Sequence, residues 1–174
     1  MERVNWFERK FNFDYGENIF PEILKRLSET SGRLTDLVTM IPEELLSKRL
    51  DGKWSIKENI GHLTDLEPLW QQRLNDIKSG VTILSPADLT NTKTNEANHN
   101  SNSVGQLIHD FSVTRNQTMA MLEKIDEEMI FRSSLHPRLK TPMRTMDLFL
   151  FVAEHDDHHL GTISTLTTQL LSAI

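Results

Sequence analysis

The chain has 174 residues, of which 37% are hydrophobic and 25% are charged, a composition that fits one folded domain and excludes an intrinsically disordered chain. Lys and Arg number 19 against 25 Asp and Glu, which gives a net charge of −6. The chain therefore lacks the basic excess of a general nucleic-acid binder or of a protein drawn to anionic lipid. It has no cysteine, which excludes disulfides, thiolate metal sites and a cysteine nucleophile.

Neither a targeting segment nor a membrane span is expected. Met1–Trp6 is too polar for a signal peptide, and the longest apolar run, Leu148–Ala153, is far shorter than a membrane span. We therefore expect a cytoplasmic protein with no nucleic-acid and no membrane partner.

The N-terminal part predicts an arm followed by a helix. Residues 1–174 are expected to form a single all-α domain, because long stretches have helical periodicity and no alternating run of β-branched residues stands out. Residues 1–14 form the arm, and its aromatic side chains are expected to pack on the domain: Trp6, Phe7, Phe11 and Phe13. The first long helix is predicted from about Asn18 to Ile41, closed by Pro42.

The second predicted helix starts after Trp54 with a capping box, Ser55 to Glu58, and ends near Ser79. A polar connection over residues 81–102 follows. It is long for a compact domain, so we expect it to be functional or to cross the end of a bundle.

Two more helices complete the prediction. The third opens with a second capping box, Ser103 to Gln106, and continues to about Ile125. After a connection that contains proline, the fourth starts near Thr145 and runs almost to the C-terminus. Four long helices with one long crossover indicate a four-helix bundle.

Histidines interrupt the apolar stripes of two of these helices. At about 100° per residue, His155 and His159 lie about 40° apart and one turn apart on the fourth helix, where they continue its apolar stripe. A pair at this spacing can hold one metal ion, and His62 on the second helix is the best third ligand. Three neutral imidazoles leave a coordination position open, as catalytic sites do, and they do not distinguish sharply between Zn, Ni, Fe and Cu.

Alternatives remain at the level of single residues. A histidine pair on a helix is also compatible with a solvated polar face, and His155 with His158 is a competing pair, although a contact of His158 with Glu154 is favoured. The other histidines are expected to be solvated, at a boundary or in a loop: His99, His109 and His136. Four carboxylates are candidates for a base or for a hydrogen-bond acceptor of a ligand, or for plain surface charges: Asp65, Glu67, Asp156 and Asp157.

The sequence resembles the DinB/YfiT family of metalloenzymes in three segments. Gly52–Leu63 is similar to the family's Trp-Ser start of helix two followed by its first metal histidine, and Glu154–Leu160 is similar to its paired histidines on the last helix. A weaker match lies in Glu8–Phe13 together with Arg26-Leu27 and Arg33-Leu34.

The resemblance implies a bundle of up-down-down-up topology that is often dimeric. It also implies a triad that holds Zn or Ni and has open water positions, here His62, His155 and His159. Many members have Gln three residues after the last ligand, where this chain has Thr162. This departure removes a hydrogen bond expected at the rim of the site.

The family includes transferases and isomerases that use a low-molecular-weight thiol, and proteins described as metal-dependent hydrolases. We therefore expect a thiol-dependent S-transferase or related transfer chemistry on a small-molecule substrate, with a hydrolase as the alternative. A third hypothesis is a non-catalytic metal-binding dimeric stress-response protein, which a closed four-ligand site would favour. A homodimer is expected in each case, because the arm and Trp70 carry more aromatic surface than a bundle interior needs. The competing account is that the arm folds back on its own bundle and buries these aromatic side chains within one chain.

Overall fold

Helices account for most of the backbone. The computed structural model describes residues 4–172, so that residues 1–3 and 173–174 of the predicted domain lie outside the described residues. The described chain contains seven α-helices: α1 Phe20–Val38, α2 Glu43–Leu46, α3 Ile56–Lys78, α4 Thr92–Glu96, α5 Val104–Leu122, α6 Glu127–Phe131 and α7 Thr145–Leu171. Two antiparallel strands, β1 Ser133–Leu135 and β2 Pro142–Arg144, pair Ser134 with Met143. No helix in this part of the chain has the length and apolar content needed to cross a bilayer.

The four long helices form the predicted bundle. Helices α1 and α3 each pack against both α5 and α7. The start of α3 is the predicted one, since the Ser55 hydroxyl accepts from the Glu58 backbone N–H and the Glu58 carboxylate accepts from the Ser55 N–H. At α5 the Ser103 hydroxyl caps the Gln106 N–H, and α7 begins at Thr145 as predicted. The up-down-down-up order of these helices stays a prediction.

A buried layer of polar side chains divides the apolar core into two clusters. One cluster includes Trp70, Phe149 and Phe151, and the other includes Ile60 and Leu160. Helices α3 and α7 contribute to both clusters. The polar positions of these two helices therefore fall in the middle of the bundle.

An ion-pair network in this layer links all four long helices. Arg115 on α5, only 2% exposed, pairs with Glu67 on α3 and with Asp156 on α7. Thr30 on α1 donates to the same Asp156 carboxylate over 2.8 Å. Because every charge in the network has a partner, the network fixes the helices relative to one another at the depth of the polar layer.

The segments between the long helices contain more structure than the sequence predicts. The connection over residues 81–102 forms α4 and a 3-10 helix over His99–Ser101, both in contact with α3. The hairpin β1–β2 and α6 lie in the last connection, for which no regular structure is expected. These elements have three to five residues each, which is too short to produce a recognisable hydrophobic period.

The N-terminal arm folds back on its own bundle. Trp6, Phe11 and Phe13 pack against the core cluster that contains Phe151, whereas Phe7 is 52% exposed. Arg9 holds the arm to α7 through a 2.5 Å ion pair with Glu154. The arm thereby forms one wall of a cleft above the polar layer.

Candidate metal centre

Three histidines of α3 and α7 meet at the floor of the cleft. His62, His155 and His159 each offer one ligand nitrogen, and these nitrogens all lie within 4.8 Å of one another. Their side chains are nearly inaccessible, and all three residues line the cleft. Among residues 4–172, this group of closely spaced potential metal ligands has three members and no fourth.

The hydrogen bonds of His62 determine which of its nitrogens is free. Its Nδ1 lies 3.0 Å from Oγ1 of Thr94, and that hydroxyl donates its own proton to the Asp65 carboxylate over 2.9 Å. The hydroxyl must therefore accept from His62, which places the imidazole proton on Nδ1. Nε2 of His62 is left with a lone pair, as a metal ligand requires.

The same reasoning applies to His159. The side-chain amide of Asn59 donates from Nδ2 to the backbone carbonyls of Trp54 and Ser55. Its Oδ1 therefore faces Nδ1 of His159 over 2.8 Å and accepts from it. The neutral form of His159 therefore carries its proton on Nδ1 and its lone pair on Nε2, so that side chains from α3 and α4 set the tautomers of two of the three histidines.

His155 is the most enclosed member of the group. Burial, together with the nearby His62, holds the pKa of His155 well below its usual value. Its Nδ1 is a buried polar atom with no hydrogen-bond partner among the described residues. An unpaired buried polar atom is costly, and a cluster of neutral imidazoles with such an atom fits a divalent metal of the borderline type, such as Zn or Ni.

Burial also keeps His62 neutral. It lowers the pKa of His62 to about 4, although the Asp65 carboxylate acts in the opposite direction. The imidazole is therefore in its metal-binding form at neutral pH.

The cleft above the histidines has a volume of about 1680 Å³ and aromatic walls. The ring centroids of Trp6 and Trp70 lie 5.1 Å and 5.8 Å from that of His155. Trp54 covers the other side, 4.7 Å from the ring of His62. Such walls can contact an apolar substrate and limit the access of water to the histidines.

The structure brings together the three predicted ligands and places His158 at their edge. The ring of His158 lies 5.3 Å from that of His159 and 5.5 Å from that of Trp6, and it is not a member of the close group. Its predicted neighbour Glu154 forms ion pairs with Arg9 and Arg26.

Of the four candidate carboxylates, Asp65 is the one linked to a predicted ligand, because the Thr94 hydroxyl connects it to His62. It accepts from Thr94 and, over 2.8 Å, from Nε2 of His99. The other three have ion-pair partners within the bundle: Glu67 and Asp156 bind Arg115, and Asp157 binds Arg26 and Arg33.

The expectation for His99 was wrong, since it is 8% exposed and bound to Asp65, not solvated. His136 lies in the loop between β1 and β2, as predicted, but it is only 2% exposed. Thr94, which positions His62, was missed altogether. Thr94 lies in the polar connection over residues 81–102, which has no hydrophobic periodicity. Only the folded structure shows that this segment reaches the site.

The comparisons with known proteins place the chain in a family. The model of the DinB superfamily matches residues 26–163, so the chain belongs to this superfamily. No curated protein matches the sequence.

Solved structures share the fold. YfiT from Bacillus subtilis, described as a probable metal-dependent hydrolase with an unusual four-helix bundle topology, superposes with a TM-score of 0.78 at 19% identity, over 94% of each chain. A protein of Streptococcus pneumoniae gives a TM-score of 0.62 at 19% identity, over 91% of this chain and 93% of the other. A mycothiol-dependent maleylpyruvate isomerase gives 0.63 at 12% identity, over 88% of this chain and 68% of the other.

Proposed function

We propose that the protein is a metal-dependent enzyme that holds one divalent ion, Zn or Ni, through His62, His155 and His159. The observation that carries the proposal is the convergence of three buried ligand nitrogens within 4.8 Å. The hydrogen bonds of His62 and His159 support it, because each directs an unprotonated nitrogen away from its partner residue. The three-membered donor set favours a catalytic site over a closed structural one.

The chain's own residues have three roles in this proposal. Asp65 and Thr94 orient His62, and Asn59 orients His159. The aromatic walls position a substrate and limit water. When bound by these residues, a divalent ion would lower the pKa of a water or a thiol, which would make it nucleophilic at neutral pH.

We favour thiol-dependent transfer to a small-molecule electrophile as the reaction. The chain has no cysteine, so a low-molecular-weight thiol would have to enter as a cosubstrate, and the cleft is large enough for two small molecules. A thiol-dependent isomerase of the same fold supports this choice. The alternative is hydrolysis, which the description of YfiT favours. A non-catalytic metal protein is less well supported, because no fourth ligand joins the three histidines within the described chain.

Metal analysis of protein purified without an affinity tag tests the site. We expect about one divalent ion per chain, as open three-ligand sites hold, and a severe loss of metal in His62→Ala. His158→Ala is the matched control, because His158 lies beside the cluster without belonging to it, and it should keep its metal. Unchanged metal content in His62→Ala, with the fold verified by circular dichroism, would contradict the proposed triad.

The reaction is tested with the metal identified in this way. The loaded protein is offered a chlorinated or epoxide electrophile with and without bacillithiol, mycothiol or glutathione. Turnover that requires a thiol supports transfer, whereas thiol-independent turnover of ester or amide substrates supports hydrolysis. Absence of both from a fully loaded protein would favour the non-catalytic hypothesis.

A further inference from the structure

The wall of the cleft beyond Trp70 holds a second group of functional side chains. Arg73, His136 and Arg138 line this wall. Arg73 is 1% exposed, and no carboxylate of the described chain comes within 4.0 Å of its guanidinium. Its Nε donates to the Ser85 carbonyl over 2.9 Å.

A comparison with Arg115 shows that a buried arginine without an ion pair is unusual in this molecule. Arg115 is equally buried, but two carboxylates neutralise it. Asp76 is the carboxylate whose charge acts on Arg73, but its hydrogen bonds come from the Ser85 N–H and from Gln72, not from the guanidinium. Arg138 also lacks an ion pair within the described residues, and its guanidinium lies 5.4 Å from the ring of Phe7. Asp76 offsets only part of the positive charge of the two arginines. Because an uncompensated buried charge is costly, the wall favours a bound anion.

His136 adds a donor to the same wall. Its Nδ1 accepts from the backbone N–H groups of Arg138 and Leu139, over 3.2 and 3.1 Å. The neutral ring then carries its proton on Nε2, which lies 3.2 Å from Nη1 of Arg73. Two donors therefore face each other, and neither satisfies the other. An anionic oxygen placed beside both would accept from both.

The electrostatics agree with the geometry. Burial lowers the pKa of Arg73 to about 10; the Asp76 carboxylate acts in the opposite direction, and Arg138 acts in the same direction as burial. Burial and the two arginines lower the pKa of His136 to about 4. The wall thus carries positive charge from its arginines alone, within a chain of net charge −6.

This wall and the candidate metal centre lie on opposite sides of Trp70. Trp70 lies between them, with its ring 5.8 Å from the ring of His155 and 5.5 Å from Cζ of Arg73. Phe151 packs against both Trp6 and His136. A molecule that spans the two groups crosses an aromatic surface, which favours an apolar body with an anionic group at one end.

We propose that the substrate is an organic acid whose carboxylate binds Arg73, His136 and Arg138, while its apolar body lies along Trp70 toward the histidines. This inference rests on the proposed function, because it assigns the substrate class of the same cleft. The wall would act by holding the carboxylate, so its residues bind the substrate and take no part in bond making.

The test compares a carboxylate with its neutral isostere. Binding of 3-phenylpropionate and of 3-phenylpropionamide to the full chain is measured by calorimetry, on protein as purified and after treatment with EDTA. We expect the acid to bind about tenfold or more tightly than the amide in both preparations, as a charge-assisted hydrogen bond predicts. Arg73→Gln and, independently, the half-buried Arg138→Gln should reduce this preference, whereas Arg132→Gln, whose side chain is 47% exposed and which does not line the cleft, should retain it.

Several results would overturn the inference. Equal binding of acid and amide by the wild-type chain would do so, as would a preference unchanged in both Arg73→Gln and Arg138→Gln. A preference lost on EDTA treatment would show that the metal holds the carboxylate. If Arg73→Gln does not fold, Arg138→Gln decides. Protein that contains no metal as purified, yet keeps the preference, would contradict the proposed function and leave the anion site standing.

Discussion

In two of the three histidines of the candidate site, the position of the imidazole proton is set by residues outside the proposed metal triad. Nδ1 of His62 donates to the Thr94 hydroxyl, and this hydroxyl donates to the Asp65 carboxylate. The carboxylate thereby fixes the position of the proton on the imidazole. Asn59 fixes the proton of His159 in a similar way. Its Nδ2 donates to two backbone carbonyls, so its Oδ1 is the atom that accepts from Nδ1 of His159. Because a metal ion and a proton compete for the same nitrogen, we expect these partners to increase the affinity of the proposed site for metal without touching the ion.

Removal of the Thr94 hydroxyl tests this relay. In Thr94→Val the side chain keeps its shape but cannot accept from Nδ1 of His62, and we expect the metal affinity to fall by about 10- to 100-fold. The measurement is a competition titration with a chromophoric chelator. Thr92→Val is the control, since Thr92 lies on the same short helix with its side chain exposed and bonded to Thr90. Equal affinity in the two variants would show that the relay does not position His62.

At the scale of elements, Gly61 explains how the connection over residues 81–102 reaches the site. A Cβ at Gly61 would lie 2.3 Å from the ring of His99, so only glycine lets His99 approach α3 closely enough to bind Asp65. We expect Gly61→Ala to lower the free energy of unfolding by about 1–3 kcal/mol, through displacement of His99.

The same substitution elsewhere should have the opposite sign. Gly32 lies inside α1, and nothing stands within 4 Å of the position of its Cβ. Gly32→Ala is expected to raise the free energy of unfolding by about 0.5–1 kcal/mol, because alanine loses less backbone entropy in a helix. Urea denaturation of both variants gives the comparison. Equal effects in the two variants would remove the close approach as an explanation.

The ion-pair network of the polar layer is expected to contribute to the stability of the bundle. Arg115→Met leaves Glu67 and Asp156 buried without their cation, and we expect a loss of about 3–5 kcal/mol in unfolding free energy. The control is Arg33→Met, which breaks the exposed ion pair with Asp157 and should change stability by about 0–1 kcal/mol. Thermal unfolding of both variants measures the difference. A small effect at Arg115 would mean that water or a repacked side chain replaces the guanidinium.

These contacts also show which features a sequence can predict. The capping box at Ser55, the start of α7 at Thr145 and the stripe shared by His155 and His159 depend on residues within one or two helical turns, so local spacing reveals them. Thr94, His99 and His136 reach their sites through folded connections whose contacts span 32, 34 and 63 positions of sequence. No local pattern records such contacts, which is why the three clustered histidines could be predicted and the residues of the folded connections could not.

At the scale of the whole molecule, the structure changes the argument for a homodimer. Three of the aromatic side chains that motivated it, Trp6, Phe11 and Phe13, pack on their own chain, and Trp70 is buried. The apolar surface that is left at the mouth of the cleft comes from Val4, Phe7 and Leu89, which are 58%, 52% and 56% exposed. A self-complementary contact there would cover these side chains.

The homodimer therefore stays a prediction, and the apolar surface at the mouth of the cleft is its expected interface. Light scattering coupled to size exclusion should give a mass near twice the 20.1 kDa of one chain. Replacement of both Phe7 and Leu89 by Ser should shift the mass toward that of one chain, because it removes the apolar rim from the interface. Met40→Ser, at a position 84% exposed and outside the residues that line the cleft, should leave the mass unchanged. A single-chain mass for the wild type at micromolar concentration would refute the dimer, and a dimer unaffected by the double substitution would place its interface on another face.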